Sequence, residues 1–302
     1  MRDRRSFLKD VATATAALAC VPAVYATSKS HLGLQFFSLS TLALSGWEGF
    51  SRAMGIARDI GYESLELAGL MGQPVEKILA RAKDLKLSFH SLHMGNDQVR
   101  AARKPGQSIQ DVQDLVYTPE GVLDVARINL PIAKRLGCTW GVIGAAGHSN
   151  FTSEGSLLNL CESFNAANKL ARSMHLGLSY HTHPRDFQPT EGRVPFEFMI
   201  AHTDASIRYQ IDVCWAAAAG TDPAQLIEKH HDRIVSLHLK DLAANRTESA
   251  TPGDGLLDFE SIRKASVKLN SPLFYVERDG GPNVNAELEA RRAFEFLTRH
   301  GW

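Results

Sequence analysis

The chain has 302 residues and carries 33 basic against 33 acidic side chains, so its formal net charge is zero. No basic run stands out beyond the amino-terminal segment, which argues against a nucleic-acid-binding surface. Cys20, Cys138, Cys161 and Cys214 show no CxxC spacing, so disulfides do not define the fold.

In chain order, the first element is an address. Arg4-Arg5-Ser6-Phe7-Leu8-Lys9 sets a twin arginine before an uncharged, Ala-, Val- and Leu-rich stretch over 11–25. Val24-Tyr25-Ala26 offers small residues where a signal peptidase reads. A charged start, a short apolar middle and a small-residue exit predict a cleaved secretory signal over 1–30, too short for a stable membrane span. The twin arginine predicts export by that route to the periplasm. Lipidation at Cys20, after Ala17-Leu18-Ala19, is an alternative end point, weakened because Leu is expected where Ala17 stands. Residues 31–302 are expected to form one catalytic domain.

That body alternates β-type runs with amphipathic helical runs, the pattern of a parallel sheet with crossover helices. Strands are predicted at 32–37, 64–67, 88–92, 139–143, 178–181, 208–212, 234–239 and 273–277. The first helix carries Trp47, Phe50, Met54, Ala57 and Ile60 on one stripe and stops at Gly61. Val75, Ile78, Leu79 and Ala82 mark the second, and longer helices are predicted at 119–136, 155–174 and 285–299. Eight strand–helix units close a (β/α)8 TIM barrel. A doubly wound open sheet would usually show a glycine-rich phosphate turn, and neither GxGxxG nor a P-loop is present. Three long connections, 95–118, 182–193 and 241–257, all follow strands and so fall on the catalytic face as candidate lids.

Polar residues recur at the strand ends: Glu66, His93, His181 and His183, Asp212, His238 and Glu277. In a barrel these ends converge on one rim, where active sites of this fold are built. One histidine at a strand end is ordinary. Six positions on one rim are not, because each buried charge needs a partner and a divalent cation partners several at once. The tightest set is His181 or His183 with Asp212, His238 and Glu277; two imidazoles and two carboxylates suit Mn²⁺, Zn²⁺, Co²⁺ or Fe²⁺. Lys240 shares the inward side of His238 and can reach a substrate oxygen. His93 and Trp215 are candidate substrate contacts, and Phe36, Phe37 and Trp47 are aromatic residues open to ring stacking or to the core.

Gly61-Tyr62-Glu63-Ser64-Leu65-Glu66-Leu67, Tyr180-His181-Thr182-His183, Ile211-Asp212-Val213-Cys214-Trp215 and Asp222-Pro223 stand in that order. Ser236-Leu237-His238-Leu239-Lys240-Asp241, Gly253-Asp254-Gly255 with Asp258, and Val276-Glu277-Arg278-Asp279 follow. Together they resemble the xylose isomerase-like TIM barrel superfamily, in the branch called sugar phosphate isomerase/epimerase. The resemblance implies a metal held by residues of strands five to eight. Asp212, His238 and Glu277 match three of its ligands, and His181 stands where the family's ketose epimerases carry a glutamate. That departure weakens a mechanism in which two carboxylates exchange protons on opposite faces of the sugar, because a metal-bound imidazole has committed its lone pair. The superfamily's three-metal abasic-site endonuclease would need a histidine where Trp215 stands.

The expected activity is a divalent-metal-dependent sugar isomerase or epimerase that abstracts a proton beside the carbonyl of an unphosphorylated sugar. Glu277, His183, Lys240 and Glu66 are the candidate catalytic groups. The same site would serve a 3-keto-glycoside lyase or a 3-keto-2-hydroxyglucal hydratase acting on a keto-sugar. A reading of another class is an exported sugar-binding protein without catalysis. An oligomer is compatible with all three.

Overall fold

Residues that alternate small or polar with apolar build two-faced strands, and here both faces are buried. The computed structural model describes residues 32–279 and 285–302; the expected export segment lies outside them. The strands are β1 (Leu32–Gln35), β2 (Ser64–Ala68), β3 (Ser88–Met94), β4 (Trp140–Ile143), β5 (Gly177–His181), β6 (Arg208–Asp212), β7 (Ile234–Leu239), β8 (Asp241–Leu242), β9 (Ser249–Ala250) and β10 (Leu273–Val276). Eight close a parallel barrel in the order β1-β10-β7-β6-β5-β4-β3-β2, while β8 and β9 pair separately as an antiparallel ladder. The single (β/α)8 TIM barrel expected from the sequence is the observed fold.

One face of each strand packs outward against the helices through residues such as Leu65, Leu67, Ile211, Leu237 and Leu239, all fully buried. Each such side chain contributes roughly 2 kcal/mol of burial. The inner face is polar: Gln35, Glu66, Ser91, Gln210 and His238 line the barrel and hydrogen-bond to one another. Small residues make room for the few large ones. A Cβ at Gly33 would sit 2.6 Å from the Tyr275 ring, so that glycine lets the tyrosine fill the barrel.

The helix Trp47–Ile60 buries Phe50, Ala53, Met54, Ala57 and Ile60 and stops at Gly61, whose φ of 124° suits a residue without a side chain. Phe36 meets Phe50 edge-on at 4.8 Å and Trp47 stacks on Phe50 at 6.1 Å, so both are packing residues. β1 ends at Gln35, two residues before the expected limit. Its side-chain oxygen accepts the Phe37 N–H at 3.2 Å and turns the chain into a 3₁₀ segment, Phe36–Leu39. β3 extends to Met94, which takes His93 into the strand.

The three long connections are ordered. The first contains helices Asn96–Ala102 and Ile109–Val116, the latter opened by a Ser108–Asp111 capping box. The third is stapled by Asp241. Its carboxylate accepts N–H groups from Leu242 (2.8 Å), Leu257 (3.0 Å), Gly253 (3.0 Å) and Gly255 (2.9 Å). A side chain at Gly255 would collide with that carboxylate, which explains the Gly253-Asp254-Gly255 motif as loop architecture. No helix among the described residues is long and apolar enough to cross a membrane.

Candidate active site

The ends of β5, β6, β7 and the residue after β10 bring His181, Asp212, His238 and Glu277 together, all buried. One ligand atom from each lies within 4.8 Å of every other.

Local sequence dictates each placement. Outward-facing Tyr180 donates its hydroxyl to Asp186 Oδ1 (2.9 Å), and Asp186 Oδ2 accepts the His183 N–H (2.6 Å). This fixes the chain path on either side of His181. Between them, Thr182 Oγ1 accepts the Asp212 N–H at 3.1 Å and ties β5 to β6. Asp212 then caps the helix Val213–Ala218 by accepting the Trp215 N–H at Oδ1 (3.0 Å). Its other oxygen, Oδ2, is buried with no hydrogen-bond partner, although Lys240 Nζ stands 3.2 Å away outside hydrogen-bonding direction.

His238 is fully buried between two carboxylates, with Nδ1 2.7 Å from Glu277 Oε2 and Nε2 2.7 Å from Glu66 Oε2. Burial opposes its charge, but Glu277 and Glu66 outweigh that and push its pKa up to about 9. Lys240 Nζ lies 2.9 Å from Glu277 Oε2, 3.1 Å from Asp279 Oδ1 and 5.2 Å above the Trp215 ring. Burial would discharge it, but Asp212, Asp279 and Glu277 hold it well above the usual lysine value. Glu277 is held well below the carboxylate range, because Lys240 and His238 overcome its burial. Burial raises Asp212 to about 6, against the pull of Lys240 and His238. Around neutral pH the three carboxylates of Glu66, Asp212 and Glu277 therefore face one ammonium and one imidazolium. The residual charge is negative, as a dication site requires.

Glu66, expected among the candidate bases, lies at the bottom of this site with no exposed surface. It accepts from Gln35 Nε2 (2.8 Å), Gln210 Nε2 (3.0 Å) and the Ser91 hydroxyl, and faces His93 Nε2 at 3.2 Å. Burial opposes its charge, but His93, His238 and Ser91 hold its pKa at about 2. His93, expected at the substrate, turns Nε2 inward to Gln210 Oε1 (2.6 Å). His183 stays outside the four-residue group: it is half-buried, its ring 4.8 Å from that of His181. Burial and the nearby Lys240 charge lower its pKa to about 3, so it is neutral. Trp215 is half-buried beside Lys240, and Phe37 is 37% exposed.

A second group of buried imidazoles, His93, His181 and His238, is also compact enough to hold an ion. There the donors are already satisfied: Gln210 Oε1 takes His93 Nε2 at 2.6 Å and His181 Nδ1 at 2.9 Å, and Glu66 takes His238 Nε2. The unpaired Asp212 Oδ2 belongs to the other group. A buried carboxylate oxygen without a hydrogen bond, in a set of two imidazoles and two carboxylates, fits a divalent ion. Sequence reasoning missed Gln210, Gln35, Ser91, Asp186 and Asp279. Gln210 was open to discovery, since it lies two residues before Asp212 and so shares its inward face.

The family model described as xylose isomerase-like TIM barrel matches residues 54–300. The chain belongs to the xylose isomerase-like TIM barrel family. Two curated relatives within reach of sequence comparison are both named inosose dehydratase. The protein from Bacillus licheniformis is 28% identical over 161 residues, which cover 47% of this chain and 53% of the relative. The one from Clostridium beijerinckii is 27% identical over 123 residues, covering 35% and 41%. The chain thus spans about half or less of the length of the curated relatives it matches. The crystal structure of a sugar phosphate isomerase/epimerase from Parabacteroides distasonis superposes with a TM-score of 0.73 at 24% identity, covering 90% of this chain and 98% of that one. That likeness shows the fold. This xylose isomerase-like barrel carries its acidic and imidazole cluster on the rim where the fold builds its sites.

Proposed function

We propose that this xylose isomerase-like protein is a divalent-metal-dependent enzyme that removes a proton beside the carbonyl of an unphosphorylated keto-sugar and expels a β-substituent. The observation that carries the reading is the convergence of His181, Asp212, His238 and Glu277, with Asp212 Oδ2 buried and lacking a hydrogen bond. A divalent ion held by these four would polarise the substrate carbonyl and stabilise the negative charge that develops on its oxygen.

The chain's own residues supply the proton transfers. His183, unprotonated and beside the ligand group, takes the proton from carbon. Its low proton affinity makes it a weak base, so the acidity of the C–H must come from the polarised carbonyl. As the C–H pair forms the new double bond, the bond to the β-substituent breaks and its electron pair leaves on oxygen. Lys240, held protonated by Asp212, Asp279 and Glu277, donates the proton to that oxygen. Glu66 is sealed away from substrate and positions His238 instead. The excess of carboxylates disfavours a phosphorylated substrate.

Elimination is favoured over epimerisation by the fifth strand. Epimerisation needs a proton acceptor and a donor on opposite faces of one carbon. At the position where a glutamate would serve, His181 spends Nδ1 on Gln210 and faces the ligand group with Nε2. The partial likeness to proteins named inosose dehydratase supports the same outcome. The test is NMR in D2O, with metal-loaded protein and a panel of free sugars and 3-keto-glycosides. The reading expects a metal-dependent eliminated product. Deuterium uptake with an epimer as product would replace elimination by epimerisation. No exchange with any panel member that binds would leave a sugar-binding protein.

A further inference from the structure

Gln210 reads as a polar spacer in the sequence, yet its orientation decides the chemistry of two histidines. Its Nε2 lies 3.0 Å from Glu66 Oε1, a carboxylate oxygen that only accepts. The amide group is therefore oriented, with Oε1 toward the rings of His93 (2.6 Å) and His181 (2.9 Å). An amide oxygen has two lone pairs and no hydrogen, so both ring nitrogens facing it must carry protons: Nε2 of His93 and Nδ1 of His181. His181 is left with its lone pair on Nε2, the nitrogen 3.9 Å from Asp212 Oδ2.

Glu66 acts in the same way on His238. Its Oε2 faces Nε2 of that ring at 2.7 Å, which keeps a proton there and turns Nδ1 toward Glu277 Oε2 at 2.7 Å. Glu66 is itself held by Gln35 and Ser91, and Ser91 Oγ lies 2.9 Å from the Tyr275 hydroxyl. All of these side chains are buried on the inner faces of different strands, beneath the rim.

We propose that Glu66 and Gln210 are positioning residues that select the ligating nitrogens of the rim, Nδ1 of His238 and Nε2 of His181. The inference rests on the metal reading above for its consequence but not for its geometry. A ring whose far N–H is held by a carboxylate or amide oxygen keeps one tautomer and orientation, and its near nitrogen is the more basic for it. The inner three-imidazole group thereby serves as the support of the outer site and binds no ion of its own.

The test is ¹⁵N NMR of histidine rings in the full chain, with signals assigned by their loss in His181→Gln and His238→Gln. In metal-free wild-type protein, His181 is expected as the Nδ1–H tautomer. On adding Zn²⁺, the nitrogens that shift as ligands are His238 Nδ1 and His181 Nε2, while His238 keeps its Nε2 proton. Glu66→Gln, which preserves shape, should weaken Zn²⁺ binding about 10–100-fold with an unchanged circular dichroism spectrum. His181 found as the Nε2–H tautomer, a zinc shift at His238 Nε2, or an unchanged affinity in Glu66→Gln overturns the proposal. If the wild-type protein took up no zinc, the metal reading would fall, and the tautomer of His181 would still decide this one.

Discussion

Lys240 shows how a single position changes meaning once its neighbours are known. From the sequence it is an inward lysine after His238; in the structure its ammonium pairs with Asp212, Glu277 and Asp279 at once. Lys240→Met is expected to remove turnover and to destabilise the metal-free protein by about 3–5 kcal/mol, because buried carboxylates lose their partner. Saturating Zn²⁺ should recover most of that loss, since the ion supplies the missing charge; denaturant titrations with and without zinc check this. His183→Gln should lower turnover about 100-fold or more and leave zinc affinity within a few-fold of wild type. The polar residues gathered at the strand ends were legible because inward polar residues at a barrel rim need a reason. The placement of His181, and not His183, in the four-residue cluster was not legible. It depends on the Tyr180–Asp186 and Thr182–Asp212 contacts, which hold the segment at a defined twist.

At the scale of elements, strand order and helix stripes followed from periodicity, and the ends of elements did not. Gln35 ends β1 by a side-chain contact to the next turn, and no pattern of apolar residues encodes that. The 95–118 connection contains two short helices whose stability comes from packing and capping more than from length. Asp241 offers a direct test of how a rim loop is held. Asp241→Ala removes the acceptor of four backbone N–H groups. Cleavage within 243–256 by a broad-specificity protease should rise at least tenfold, while the far-ultraviolet spectrum stays that of a folded barrel. Unchanged cleavage would mean that β8 and β9 hold the loop without it.

At the scale of the whole molecule, a cluster of buried ionisable groups sits at the barrel mouth, and the three described thiols, Cys138, Cys161 and Cys214, are buried. Burial pushes Cys138 and Cys161 up to about 12, and Cys214 is raised by burial as well. In a Cys20→Ser chain, which removes the thiol outside the described residues, an aromatic disulfide reagent at pH 8 should titrate none of the three until the protein is unfolded. The same shift has a stability sign. The unfolded thiols lose their protons near pH 9 and the folded ones only near 12, so stability falls as pH rises through that window. Eight strand–helix units were enough to read this architecture from the sequence, because the count itself closes a barrel. The polar interior was less visible, since Ser91, Gln210 and Gln35 are unremarkable residue types until the closed sheet sets them against one another.

The central claim is that one divalent ion belongs to the outer group of His181, Asp212, His238 and Glu277. Equilibrium dialysis against Zn²⁺, with the bound metal counted by mass spectrometry, tests it most directly in wild-type, Asp212→Ala and His93→Gln proteins. One tightly held ion per chain is expected in wild type and His93→Gln, and none in Asp212→Ala. Binding that survives Asp212→Ala but is lost in His93→Gln would place the ion on the inner imidazoles and contradict the account.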